Sequence, residues 1–404
     1  MPNQYYRVVK QHPLYRQMST DDLFDPSFQA PELITANLAN TRTFVTDLLD
    51  PKAVRSDYTR ALISRLKWFC SAYQPLYEVP RETLYRRYRI PKKSGGFRPI
   101  DQPVDELQSA LAVLKVIFEH DFGALYHTSA FAYVPHRSNR DCVTRHQRNE
   151  SNWFAKFDLE NFFGSTTLDF VYSMLSLVYP FCLVVQYEDG RQALRKALSL
   201  AFLRGGLPQG TKISPLITNL MMIPIDYELF NTLRNFGKQY YVYTRYADDF
   251  IISSKYDFKF MEIQNLIRDV LRKYNAPFQI KKAKTHYGSR AGANWILGIM
   301  LNKDNEMTVG YQRKKRFQSA LHNFLRDKEA GVSWDLDDVR HLLGLHAYYR
   351  SIEPQNIDAI VQHVAQKHHA DPLAALKSVL QDPTSVPVTP VDVLPDDPDD
   401  ACPW

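Results

Sequence analysis

The chain has 404 residues, room for two or three domains at roughly 150 residues each and for a sizeable buried core. Hydrophobic residues at 45%, charged at 23% and aromatic at 13% exclude a fibrous repeat or a wholly disordered chain; no apolar run reaches the roughly 18 residues of a membrane span, and Met1 to Arg16 lacks the apolar stretch of a signal peptide. Net charge is +6, but Asp392, Asp396, Asp397, Asp399 and Asp400 fall in the last 13 residues, which hold no Lys or Arg, so the preceding chain carries +11, compatible with a nucleic-acid partner or with a solvated basic surface.

Cys70, Cys142, Cys182 and Cys402 stand far apart, which suits neither a zinc site nor a disulfide framework and fits a reducing cytoplasm. In chain order, Lys52 to Tyr73 has helical periodicity with Leu62, Leu66 and Phe69 on one face, and Pro75 and Pro80 end it. Ile90 to Pro103 (IPKKSGGFRPIDQP) is a basic, hairpin-like segment, and Leu107, Leu111, Leu114, Ile117 and Phe118 mark the core face of a following helix. FAKFD (154–158), YYVYTRY (240–246), FIIS (250–253) and WILGIML (295–301) read as strands among helical stretches, so the region is α+β. Gln312 to Arg326 and a segment through HLLGLHAYY (341–349) read as helices, and the Pro- and Asp-rich end as a disordered tail.

The chemistry is concentrated in acids. Asp248 and Asp249 lie in the turn between two apolar strand-like runs; two adjacent Asp alone are commonly solvated turn residues, but Asp158 ends FAKFD and adds a third carboxylate at the end of a neighbouring strand. Three acids converging on one sheet edge repel unless cations neutralise them, and hard oxygen ligands select Mg²⁺ or Mn²⁺. Two such ions suit in-line phosphoryl displacement, which predicts nucleotide addition.

IPKKSGGFRPI, FDLENFF, RGGLPQGTKISPLITN, RYADDFIIS, QIKKAKT and WILGI follow one another in the order of the fingers and palm motifs of reverse transcriptases. Over residues 85–350 the chain resembles the bacterial group that includes group II intron and retron enzymes. The resemblance implies a right-hand polymerase: an N-terminal helical extension (1–80), fingers (81–150), a palm with an antiparallel sheet (151–305), a helical thumb (306–380) and an acidic tail (381–404). It implies two Mg²⁺ ions, with Mn²⁺ as substitute, at Asp158, Leu159, Asp248 and Asp249, the three acids being catalytic. It implies that Arg98, Lys93, Phe163, Gln209, Gly210 and Lys284 bind the dNTP. Phe163 would be the ring that clashes with a 2′-hydroxyl, its neighbour Phe162 turning to the core, and Lys284 would protonate the leaving pyrophosphate. Tyr246, Leu297, Gly298, Arg313, Lys314, Lys315 and Arg316 would meet primer and template, the basic cluster through duplex phosphates.

Within that group, no DNA-binding or HNH region follows the thumb, MTVGYQRKKR lacks the VTG of typical retron enzymes, and Ser214-Pro215 stands where diversity-generating enzymes have SQ. What remains resembles the defence-associated reverse transcriptases of the unknown group, which implies a structured noncoding RNA as template or partner, an RNA–DNA hybrid product and a role against phage, with no membrane partner. Template-independent or protein-primed synthesis, with Tyr5 or Tyr6 among many tyrosines that could prime, is the alternative; a maturase-like RNA-binding protein is a third reading. A viral RNA-dependent RNA polymerase is disfavoured, since those usually have Asp where Phe163 stands and GDD in place of ADD.

Overall fold

The computed structural model describes residues 52–91, 96–119, 126–292 and 295–381. The expectations for Tyr5, Tyr6, Lys93 and the acidic tail lie outside them. The chain forms two compact units, which meet in sequence at Gly288 and Ser289.

The first unit opens with α1 (Lys52–Ala72), whose Leu62, Leu66 and Phe69 recur at i, i+4 and i+7 and are buried. β1 (Tyr85–Pro91) and β2 (Phe97–Pro103) form the expected antiparallel hairpin, with Tyr85 opposite Pro103 and Pro91 opposite Phe97. α2 (Asp105–Glu119) follows, burying Leu107, Leu111, Leu114 and Phe118. α3 (Asn139–Arg148) starts at a capping box: Ser138 Oγ accepts from the Asp141 N–H at 3.2 Å, and Asp141 Oδ2 accepts from the Ser138 N–H at 2.8 Å.

The central sheet is built from β3 (Trp153–Asp158), β4 (Val242–Tyr246), β5 (Asp249–Ser254) and β6 (His286–Ser289) in the order β4-β5-β3-β6. β5 is antiparallel to both β3 and β4. α4 (Leu168–Leu175), α5 (Glu188–Ser199), α6 (Ser214–Arg234) and α7 (Phe260–Lys273) complete the unit, with α6 packed on β4 and α7. Phe157 of β3, Tyr243 of β4, Phe250 and Ile252 of β5, and Leu220, Met221 and Ile225 of α6 share one core. This confirms the α+β class.

In the second unit, WILGIML is two strands. β7 (Trp295–Ile296) and β8 (Ile299–Leu301) pair across Leu297 and Gly298, at φ 52° and 79°, the doubly left-handed turn that suits a two-residue hairpin. β9 (Met307–Thr308) adds a third strand. Four helices follow: α8 (Tyr311–Glu329), α9 (Leu336–Ile352), α10 (Pro354–His368) and α11 (Pro372–Gln381). They close around Phe317, Leu321, Phe324, Leu342, Val364 and Leu376.

Candidate active site

Strand register brings the acids together. In the β3–β5 ladder Asp158 stands directly opposite Asp249, and the Leu159 N–H donates to the Asp248 carbonyl at 3.1 Å. Tyr246 and Asp249 pair across the hairpin, leaving Ala247 and Asp248 as its two-residue turn; Ala247 takes φ 55°, rare for a side chain with a Cβ. Leu159 has a buried, apolar side chain, which leaves its main-chain carbonyl as its one group able to ligate a cation.

Charge crowding is visible in the acids' protonation. Burial pushes the Asp248 carboxyl up, with the Asp158 charge adding, while Lys284 and Arg98 oppose. Asp249 is pushed up to about 7 by burial and then by Asp248 and Asp158. Lys284 Nζ donates to Asp158 Oδ2 at 2.8 Å. Burial pulls that ammonium down, but its bond to Asp158 and the charges of Asp158, Asp249 and Asp248 hold it above its ordinary value. Among the described residues no group of three or more His, Cys, Asp or Glu side chains is drawn together tightly enough to hold an ion as it stands. The donor set nevertheless fits a divalent ion in kind: hard carboxylate oxygens, partly buried and mutually repelling, are the groups that Mg²⁺ neutralises.

The two aromatics after β3 differ in burial. Phe162 is buried against Phe278 at 5.0 Å between centroids, while Phe163 is half-buried and meets Phe162 edge-on. The Gly-rich loop lies against this turn: the Leu207 N–H donates to the Phe163 carbonyl at 2.9 Å, and a Cβ on Gly206 would come within 2.3 Å of the Gly164 carbonyl. Farther along, the Gln209 carbonyl accepts from the Asp101 N–H at 2.8 Å, and Gly210 (φ 116°) has no space for a Cβ beside Ile100. The loop is thus stitched to β2, the strand of Arg98. Asp101 itself is clamped by Arg87 at 2.8 and 3.0 Å and by Arg204 at 3.3 Å; burial would raise its carboxyl, but these guanidinium groups hold it low.

The second unit treats its basic cluster unevenly. Arg313 is buried and donates to the Gly298 carbonyl at 2.6 Å. Lys314 is paired with Glu353 at 2.8 Å, Lys315 is exposed, and Arg316 is half-buried. The structure therefore ties Arg313 to the Leu297-Gly298 turn and leaves Lys315 facing water.

Two further residues bear on the site without belonging to its motifs. Arg245, in RYADD, is 1% exposed and holds Asp226 of α6, 0% exposed, through Nε at 2.8 and 3.1 Å and Nη2 at 2.8 Å; Tyr243 also donates to Asp226 at 2.7 Å. Arg245 Nη1 reaches the Ala247 carbonyl at 3.1 Å and Asn219 Oδ1 at 3.2 Å, so the guanidinium buttresses the acidic turn. A charged residue inside an apolar strand was the available signal. The second is Tyr133, whose hydroxyl is raised by crowding and by the Asp248 charge, with Arg98 opposing.

Three acids lie at one end of the antiparallel sheet, and the Gly-rich loop is joined to the strand of Arg98, within the mixed helix and antiparallel-sheet architecture of a right-hand polymerase. The reverse transcriptase (RNA-dependent DNA polymerase) family matches residues 90–320, more than half of the chain, and the protein belongs to that family. It is 26% identical over 310 residues to the retron Ec83 reverse transcriptase of Escherichia coli, covering 73% of this chain and 90% of the relative. It is 27% identical over 273 residues to the retron Ec73 reverse transcriptase of Escherichia coli, covering 67% and 83%. Among solved structures, telomerase from Candida albicans in complex with a fragment of telomeric RNA superposes with a TM-score of 0.44 at 14% identity, over 77% of this chain and 58% of that one. The chain is an RNA-directed DNA polymerase, taking an RNA template and dNTPs. Among the described residues no helix is long and apolar enough to cross a membrane.

Proposed function

We propose that Asp158, Asp248 and Asp249, with the Leu159 carbonyl, hold two Mg²⁺ ions, for which Mn²⁺ can substitute, and that the protein copies a dedicated structured noncoding RNA in cytoplasmic defence against phage. The observation that carries the catalytic part is the register: Asp158 opposite Asp249, with Asp248 in the adjoining turn. Bound there, the ions would supply charge neutralisation for the attacking 3′-hydroxyl and the departing pyrophosphate. The chain's own groups do the rest. Arg98 and Lys93 grip the triphosphate, Arg98 as a fork suited to phosphate. Gln209 and Gly210 bring main chain close to the nucleotide, Phe163 excludes a 2′-hydroxyl, and Lys284, already an ammonium on Asp158, is placed to give a proton to pyrophosphate. Tyr246, Leu297, Gly298 and the cluster Arg313, Lys314, Lys315 and Arg316 serve primer and template, the first two of the cluster by fixing the thumb's entry and the others at phosphates. Fingers (81–150), palm (151–305) and thumb (306–380) are the corresponding divisions.

Similarity to retron reverse transcriptases supports the bacterial lineage, while TVG in place of VTG sets the thumb segment apart from typical retron enzymes. The test is to purify the protein from its native locus, sequence the RNA it carries and supply Mg²⁺ with labelled dNTPs. A discrete cDNA complementary to one bound RNA, abolished by Asp248→Asn with Asp249→Asn, is expected. DNA without complementarity would replace this reading with template-independent synthesis, and RNA binding without synthesis with a maturase-like role.

A further inference from the structure

Residues 129–133 run beside β4 toward the acidic turn. The Arg245 N–H donates to the Ser129 carbonyl at 2.6 Å, the Phe131 N–H donates to the Arg245 carbonyl at 2.9 Å, and Ala130 bridges Arg245 in parallel. Two residues beyond Phe131 on one strand, and three beyond Arg245 on the other, lie Tyr133 and Asp248. The segment is held from several sides: Asn219 Nδ2 donates to the Ala132 carbonyl at 2.7 Å, Arg137 Nη1 donates to the His127 and Ala130 carbonyls at 2.7 and 2.6 Å, and the Ser138 capping box closes its far end.

Within this pinned loop Tyr133 has φ 57° and His136 φ 61°, left-handed conformations that cost non-glycine residues energy and persist where the surroundings impose them. The neighbours Phe131, Ala132 and Val134 are buried, yet the Tyr133 side chain is 54% exposed. The fold thus accepts strain to turn a large ring outward, at the place where Asp248 and Arg98 both act on it. A solvent-facing turn of this kind would ordinarily take Gly or Asn.

We infer that Tyr133 is a substrate-contacting residue whose ring stacks on the incoming deoxynucleoside triphosphate between the Arg98 hairpin and the Asp248 turn. This rests on the reading of the three acids as the polymerisation site. The ring face supplies stacking that any of the four bases accepts, so Tyr133 sets nucleotide affinity without choosing among bases.

The test measures dNTP KM, kcat, template–primer Kd and melting temperature for the full chain as wild type, Tyr133→Phe, Tyr133→Gly and Tyr133→Asn. Gly and Asn suit the left-handed backbone, so both are expected to keep the melting temperature, while raising dNTP KM about 5- to 100-fold, the size of one lost base–aromatic stack. Phe keeps the ring and should stay within about twofold of wild type, and template–primer Kd should not move in any variant. Unchanged dNTP KM in both Gly and Asn variants overturns the inference, as does weaker template–primer binding at unchanged dNTP KM, which would assign the ring to the duplex. Primer extension that survives Asp248→Asn with Asp249→Asn would instead overturn the polymerisation-site reading, and this inference with it.

Discussion

Asp226→Asn asks how the acidic turn is held in place. Arg245 and Asp226 are 1% and 0% exposed, and the carboxylate accepts three short bonds from the guanidinium and one from Tyr243. Burial alone would lower the Arg245 pKa, but the Asp226 charge and hydrogen bonds hold it above its ordinary value, so the arginine cannot escape by losing its proton. An amide at position 226 keeps the shape but leaves a buried guanidinium uncompensated. Removing one partner of such a pair costs about 3–5 kcal/mol, a large share of the roughly 5–15 kcal/mol that hold a folded domain. Urea unfolding followed by intrinsic fluorescence reads the loss as a lower midpoint. Replacing both charges, Asp226→Leu with Arg245→Met, leaves no unpaired charge, though the buried Tyr243 hydroxyl loses its acceptor, and should recover much of that stability. It nevertheless deletes the bonds from Arg245 to the Ala247 carbonyl and to Asn219, so primer extension should stay low in a protein that is stable again. A loss below about 1 kcal/mol for Asp226→Asn, the size of a surface ion pair, or full activity in the double variant, refutes the reasoning.

Three further outcomes follow from the same geometry. Buried neutral His127 and His146 have pKa values lowered to about 3, mainly by burial, against about 6.5 unfolded, so the unfolded chain takes up protons first as pH falls below 6.5. Stability should drop by about 1 kcal/mol per histidine between pH 7.0 and 5.5, measured in the Asp248→Asn, Asp249→Asn protein because Asp249, pushed up to about 7, works in the opposite sense; a flat profile counts against it. Phe163→Ala should raise rNTP incorporation relative to dNTP by about 10- to 100-fold in competition assays, and an unchanged ratio would move the sugar gate elsewhere. Lys315→Ala should reduce the slope of log affinity for template–primer against log salt by about 1, whereas Arg313→Ala, which removes the bond to the Gly298 carbonyl, should cost stability and leave that slope alone.

Some of this was legible in local pattern and some in principle could not be. Periodicity placed α1 and α2 because Leu62, Leu66 and Phe69, or Leu107, Leu111 and Leu114, repeat within one element. The Asp158–Asp249 pairing was legible because an antiparallel hairpin carrying two acids in its turn has little freedom in where its neighbour's last residue lies. The burial of Arg313 was legible too: it shares a helix face with Phe317, Ala320 and Phe324, at i+4, i+7 and i+11, a stripe that faces inward whatever the charge of its first member. WILGIML was ambiguous, since an uninterrupted apolar run says nothing about a two-residue turn inside it.

Arg245 is different in kind. Its partner Asp226 stands 19 residues upstream on a helix, and its other contacts are the Ala247 carbonyl and Asn219, so no window of sequence contains the pairing that makes a buried arginine affordable. Through Asn219 the same network reaches the Ala132 carbonyl, one residue before Tyr133. The acids stand out in the sequence because carboxylates at strand ends are a local pattern written in residue type. What holds the acidic turn, and pins the segment just before Tyr133, is a long-range hydrogen-bond network reaching from α6. Substitutions at Asp226 or Asn219, far from the acids in sequence, should therefore disturb the Asp248 turn and the Tyr133 loop together, whereas substitutions at exposed Lys315 should disturb neither.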